Sequence, residues 1–235
     1  MKTKLLRAII LLPVIILTLS TNVFAAAVIL FNVDYPGITN RKLLGKPTSQ
    51  YEDQGVSAPA LSAPIITDDG TACIIIGDSR AVGLDMYKKI NETEDKYVVF
   101  AGAGMGYGFM ENIAFPAAAR LEEAHPEISH WKYIICMGVN DLENLEKYKL
   151  ALSFLGTKKD VTFVSVNPVE ENPALPELAE FNLKISEFNE EMKKVPNIKY
   201  YDTNSYLKKH GYKTVDNMHY DGDTIETIYE LIKRI

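Results

Sequence analysis

The chain is poor in cysteine, with 2 in 235 residues, and it carries a single tryptophan. Two cysteines cannot build a disulfide scaffold, and their spacing fits no zinc ribbon. There is no basic tract and the formal charge is −6, which argues against a nucleic-acid partner. No segment repeats at a fixed period, so solenoids and propellers are set aside. With 47% hydrophobic and 24% charged residues, the composition is neither that of a disordered chain nor that of a polytopic membrane protein. It is an ordinary globular balance. About 200 residues fit one domain with a full core, or at most two small ones.

The N-terminus is basic at Lys2, Lys4 and Arg7, and no charge follows from Ala8 to Val33. Ala8 to Leu19 is apolar but for Pro13 and Thr18. Ser20-Thr21-Asn22 and then Val23-Phe24-Ala25 follow. This is the pattern of a secretory signal peptide over residues 1–25, cut after Ala25 or Ala27. The rival expectation is an uncleaved anchor reaching to about residue 31, since about 20 apolar residues span a bilayer. Positive charge ahead of the span puts the remainder outside in both cases, so a secreted or surface-anchored protein is expected. No cysteine lies near the cut, which excludes a lipoprotein. Without residues 1–25 the net charge is −9, with 22 basic and 31 acidic residues, and bulk charge gives no attraction to anionic surfaces. Residues 34–70 are rich in Pro, Ser, Gly, Thr and Asp, and read as a linker without its own core.

From Thr71 the pattern alternates. Short apolar runs at Ala72–Ile76, Tyr97–Phe100, Tyr133–Met137 and Val161–Val166, with a weaker one at Lys199–Tyr201, read as parallel strands buried on both faces. Helical patterns lie between and after them, at Ala81–Ile90, Met110–Ala124, Leu142–Leu155, Leu175–Lys194 and Thr224–Ile235. Five such units predict one α/β domain over 71–235, a five-stranded parallel sheet with helices on both sides. Ligands of such sheets sit beyond the carboxyl ends of the strands.

The residues at those ends are suggestive. Gly77-Asp78-Ser79-Arg80 follows the first run and Gly102-Ala103-Gly104-Met105-Gly106-Tyr107 the second. Gly138-Val139-Asn140-Asp141 follows the third, and Asp216-Asn217-Met218-His219 precedes the last helix. A serine hydroxyl needs a base within hydrogen-bond reach to act as a nucleophile. His219 can take the Ser79 proton on one ring nitrogen, and Asp216, three residues earlier, can fix the other. A tetrahedral oxyanion could be met by the Ser79 N–H, an N–H of the glycine loop and the Asn140 amide. Gly106 is favoured over Gly104 as the loop donor by its distance from the strand end.

These four blocks, in this order, resemble the SGNH hydrolases, also called the GDSL family, over roughly residues 72–235. The resemblance implies a flavodoxin-like three-layer α/β/α fold and hydrolysis of esters or thioesters. It implies Ser79, Asp216 and His219 as the triad, and Asn140 with a loop glycine as oxyanion donors. The GDSR opening, the GMGY loop, Ser165-Val166-Asn167-Pro168 and the final HYD are most similar to a secreted branch in Gram-positive bacteria. Two features depart from the family pattern. Phe100 and Ala101 stand where many members place an asparagine. Arg80 follows the serine, where it could pair with an acid or bind a substrate carboxylate or phosphate.

Other patterns carry less. The glycine loop reads G-x-G-x-G-x-G after the second strand, which is not a dinucleotide fingerprint. An EF-hand counted from Asn217 puts Ile228 where the bidentate acid belongs. His125, His130 and His210 read as solvent-facing or capping. Cys73 and Cys136 read as small core thiols, and Trp131 as a packing residue. Tyr107, Phe109 and Tyr220 adjoin site residues, and either pack in the core or meet an apolar or sugar ring. The expectation is a monomeric extracytoplasmic serine esterase with no metal or organic cofactor. Its substrate would be an acylated small molecule or glycan, foremost an O-acetyl ester of a cell-wall or extracellular glycan. The alternatives are an acyltransferase to a sugar hydroxyl, a lysophospholipase or thioesterase, and an inert surface binding module.

Overall fold

A computed structural model describes residues 56–93 and 95–235. The proposed leader, the alternative anchor and the first part of the proposed linker lie outside the described residues. The sheet has six strands: β1 (Val56–Ser57), β2 (Thr71–Gly77), β3 (Tyr97–Gly102), β4 (His130–Cys136), β5 (Asp160–Val164) and β6 (Lys199–Tyr201). Their spatial order is β1-β3-β2-β4-β5-β6. β2 to β6 are parallel throughout and match the five predicted strands. β2 sits at the centre, with Ile75 opposite Val99 of β3 on one side and Ile134 of β4 on the other.

Alternation along the strands divides the core between two faces. Ile74 and Ile76 of β2, Phe100 of β3 and Ile135 of β4 pack on one face. There they meet Leu121 of α2 (Phe115–Ala124), Leu152 of α3 (Leu145–Gly156) and Ile185 of α4 (Glu177–Met192). Cys73, Ile75, Val99 and Ile134 pack on the other. They meet Leu84 of α1 (Ser79–Lys88) and Ile232 of α6 (Gly222–Ile232). This is a three-layer α/β/α fold. Both cysteines are free thiols, and burial pushes both up in pKa.

The structure departs from the sequence reading at several points. Residues from 56 onward are not a coreless linker. β1 pairs antiparallel with β3, Ser57 and Ala58 are fully buried, and Leu61 and Ile65 pack on the core. His125, read as solvent-facing or capping, is the C-cap of α2, and it is buried, with its ring between the Leu61 carbonyl and Glu127. The helix predicted over Met110–Ala124 is not uniform. A helical turn (Tyr107–Phe109) and a π-turn (Met110–Ala114) precede α2. Pro116 has no N–H to give to that turn, which loosens the i→i−4 ladder there. An additional helix, α5 (Thr203–His210), begins on an Asp202 cap that accepts from the Ser205 N–H. Among the described residues no helix is long and apolar enough to cross a membrane.

Candidate active site

The parallel strands run in the order 2-1-3-4-5 in chain terms, with the direction of winding reversing between β2 and β4. Connections leaving neighbouring strands on opposite faces open a crevice at that point. The segments after β2, β3 and β4 meet there.

Ser79 is the first residue of α1, directly after β2. Asp78, not Ser79, caps the helix: its carboxylate accepts the Arg80 N–H at 3.0 Å. The Ser79 hydroxyl is thereby left for other work, and Oγ lies 3.0 Å from His219 Nε2. His219 Nδ1 lies 2.7 Å from Asp216 Oδ2. The Asp216 side chain folds its own turn. Oδ1 accepts the N–H groups of Met218 at 3.0 Å and His219 at 2.7 Å, and Asn217 takes φ +68°. Asparagine tolerates that left-handed conformation. The turn points the imidazole back over the carboxylate that built it. These same bonds hold the Asp216 carboxyl down at about 2, the His219 N–H first among them. With Asp216 ionised, Nδ1–H donates to it and Nε2 is free to accept the Ser79 proton.

The other side is assembled from distant segments. Asn140, after β4, is exposed, and its amide donates to the Met105 carbonyl at 2.9 Å. That carbonyl shares a peptide unit with the Gly106 nitrogen. Asp141 is buried, and its carboxylate accepts three bonds: the Tyr107 N–H at 2.6 Å, the Asn144 amide at 3.1 Å and the Tyr148 hydroxyl at 2.8 Å. A Cβ at Gly106 would lie 2.3 Å from Asp141 Oδ2, so only glycine lets the loop approach this closely. Asn140 and Gly106 are thus brought together. Gly104 stands off, with φ +69° and open space around it.

Arg80 forms no ion pair among the described residues and gives its guanidinium to backbone carbonyls. Nη1 donates to the Asn167 carbonyl at 2.6 Å, Nε to the Met218 carbonyl at 3.2 Å and Nη2 to the Pro168 carbonyl at 3.4 Å. Its guanidinium lies 5.0 Å from the Tyr220 ring centre. Phe109 and Tyr220 are buried, and the Tyr220 hydroxyl donates to the Pro168 carbonyl, so both belong to the frame. Tyr107 stacks edge-on against Tyr148.

Asp78 is almost fully buried, and burial pushes its carboxyl up to about 6, against the pull of Arg80. A cavity of about 50 Å³ lies beneath it, walled by Ala81, Cys136, Ser165 and Ile228. On the open side a groove of about 660 Å³ runs from Asn140 along α4, with Leu142, Leu145 and Phe181 in its floor. A smaller hollow between Phe181 and Met218 continues it. Among the described residues, no group of three or more His, Cys, Asp or Glu is placed to hold a metal ion.

Sequence reasoning missed the frame behind the site. On α4, Asn189 accepts the Val166 N–H and donates to the Val166 carbonyl, both at 2.9 Å. Asn182 treats Val169 in the same way, again at 2.9 Å. The two asparagines are seven residues apart, so they lie on one helix face. They fix the strand-like segment after β5 on which Arg80 pulls. Two asparagines at that spacing within an apolar stripe were the available signal.

No protein-family model matches the chain, and no curated protein matches it by sequence. Solved structures do. A GDSL-like lipase from Bacteroides thetaiotaomicron is 18% identical, with TM-score 0.51 over 80% of this chain and 95% of that one. A candidate acylhydrolase from Bacteroides fragilis is 14% identical, with TM-score 0.53 over 79% and 93%. At these identities the likeness is one of fold. The chain has the three-layer α/β fold of GDSL-type lipases and acylhydrolases.

Proposed function

We propose that this protein is a serine hydrolase of carboxylic esters, an SGNH-type esterase, exported by its N-terminal segment. One observation carries the reading: Ser79, His219 and Asp216 form a continuous relay, with spacings of 3.0 and 2.7 Å, at the switch point of the sheet. Ser79 Oγ attacks the ester carbonyl as its proton passes to His219 Nε2. The negative oxygen that forms is met by the N–H groups of Ser79 and Gly106 and by the second amide hydrogen of Asn140, whose first is held by Met105. Collapse expels the alcohol, which takes the proton from His219. Water then enters and attacks the acyl carbon as its proton passes to the same nitrogen; the second collapse breaks the bond to Ser79 Oγ, which takes that proton back from His219 as the acid leaves. The chemistry is complete with side chains and backbone alone.

Hydrolysis is favoured over transfer to a sugar hydroxyl by the openness of the site. The side chains of His219 and Asp216 are 44% and 51% exposed, so water reaches the acyl-enzyme. An intact relay argues against an inert binding module. The groove supports an uncharged alcohol group. Glu143, Glu187 and Glu191 line it against one Lys184, and Arg80 is committed to carbonyls. Among the described residues a phospholipid phosphate would meet Lys184 alone, already paired with Glu180 and outnumbered by carboxylates, whereas an O-acetylated sugar would meet carboxylate acceptors and an apolar floor. This favours acetylated glycans over lysophospholipids. Hydrolysis of p-nitrophenyl acetate, butyrate and octanoate tests the reading. Acetate should be preferred, and Ser79→Ala should lower kcat by about 10⁴–10⁶. A preference for octanoate would move the substrate to lipids, and an active Ser79→Ala variant would refute the mechanism.

A further inference from the structure

Arg80, next to Ser79, hydrogen-bonds both to the turn that carries the base, at the Met218 carbonyl, and to the segment after β5, at the Asn167 and Pro168 carbonyls. The turn that carries His219 is poorly buried: Val215 is 73% exposed, and Asp216 and His219 are about half exposed. It has few ties to the body of the protein. Glu170 accepts from the Thr214 N–H and hydroxyl, and the Glu170 N–H donates to the Asn217 carbonyl. Those ties hold the turn on the side away from Ser79. On the serine side the tie is Arg80. Its Nε holds the carbonyl of Met218, the residue before His219, and its plane lies over the ring of Tyr220, the residue after. Nη1 and Nη2 hold the Asn167 and Pro168 carbonyls, and the Tyr220 hydroxyl closes the circuit on Pro168.

We propose that Arg80 is a positioning residue, which fixes the base against the nucleophile by gripping both neighbours of His219 from the position next to Ser79. The inference rests on the esterase reading. The planar guanidinium suits the task, because one rigid fork can satisfy carbonyls in two loops at once. A lysine ammonium is a single point on a flexible stem and cannot span them. A displacement of about 1 Å between reacting groups can cost about 10²-fold in rate.

Arg80→Ala and Arg80→Lys in the full chain test this on p-nitrophenyl acetate. The expected result is a kcat lowered about 10–100-fold in both, with KM little changed. Added guanidinium at millimolar concentration should restore part of the Arg80→Ala rate. An unchanged kcat would overturn the proposal. So would a raised KM confined to anionic esters, which would make Arg80 a substrate ligand. Should Arg80→Ala fail to fold, Arg80→Lys is read by the proton NMR signal of His219 Nδ1–H. That downfield signal should broaden or shift, and an unchanged signal would overturn the proposal. The NMR reading needs no turnover. An inert wild-type protein would therefore sink the esterase reading while Arg80 is judged on the spectrum alone.

Discussion

The two halves of the candidate site are built in opposite ways. The base is local: Asp216 folds a four-residue turn with its own carboxylate, and the same turn delivers His219. That half is half-exposed and hangs on Glu170 and Arg80. The oxyanion side is non-local. Asp141 reaches back 34 residues to the Tyr107 N–H and draws Gly106 and Asn140 together from under the surface. A short turn can hold a carboxylate and an imidazole in register with little burial. Joining two loops requires a buried carboxylate, whose desolvation is offset by three hydrogen bonds. The first half should therefore fail chemically when altered, the second both chemically and structurally.

The largest effect should come from the local half. Asp216→Asn keeps an oxygen for the turn but offers His219 Nδ1 an amide, and kcat should fall about 10⁴-fold with only a small loss of thermal stability, because the lost carboxylate is half exposed. A fall under tenfold would remove Asp216 from its role. Asn140→Ala should lower kcat by about 10²–10³ with a smaller change in KM. A change confined to KM would make Asn140 a substrate ligand instead. Asp141→Ala should combine the two kinds of damage. The Tyr148 hydroxyl and Tyr107 N–H lose their acceptor, costing about 2–4 kcal/mol of stability by chemical denaturation. Its kcat should drop about tenfold, less than additively with Asn140→Ala. Full additivity would separate the two residues.

The smallest effect is on stability alone and lies between the halves. Asp78 has a folded pKa of about 6, above its unfolded value near 4. The fold binds that proton more tightly than the unfolded chain does. Its stabilising contribution is whole below about pH 4 and is lost as pH rises through about 6. Asp78→Asn keeps a capping oxygen for the Arg80 N–H. Its Tm relative to wild type should climb between pH 4 and pH 7, and a flat difference would mean that Asp78 ionises freely. Asp216 has the opposite sign. Its pKa is depressed to about 2, so its contribution stands above about pH 4 and is lost towards pH 2.

This contrast also explains what the sequence made legible. The five parallel strands announced themselves because both faces are buried, which makes each a continuous apolar run. The residues proposed as a triad were legible because they sit at a strand end and in one tight turn. β1 was hidden because two residues give no period, and its neighbours Pro59 and Pro64 mimic a linker. α5 was hidden because it buries only one large apolar side chain, Leu207. The backbone partners of Arg80 and Asp141 were illegible for a different reason. Both residues were visible in their motifs, but one serves carbonyls 87 and 138 residues away and the other an N–H 34 residues away. Backbone groups leave no trace in residue identity, so a side chain that serves them shows no partner in the sequence.

The central claim is that Ser79 is a nucleophile activated by His219. The most direct measurement is labelling of the folded protein with a fluorophosphonate, followed by mass spectrometry of its peptides. One adduct is expected, on Ser79, lost in Ser79→Ala and slowed at least a hundredfold in His219→Ala. A folded wild-type protein that takes no label, or takes it equally without His219, would contradict the claim.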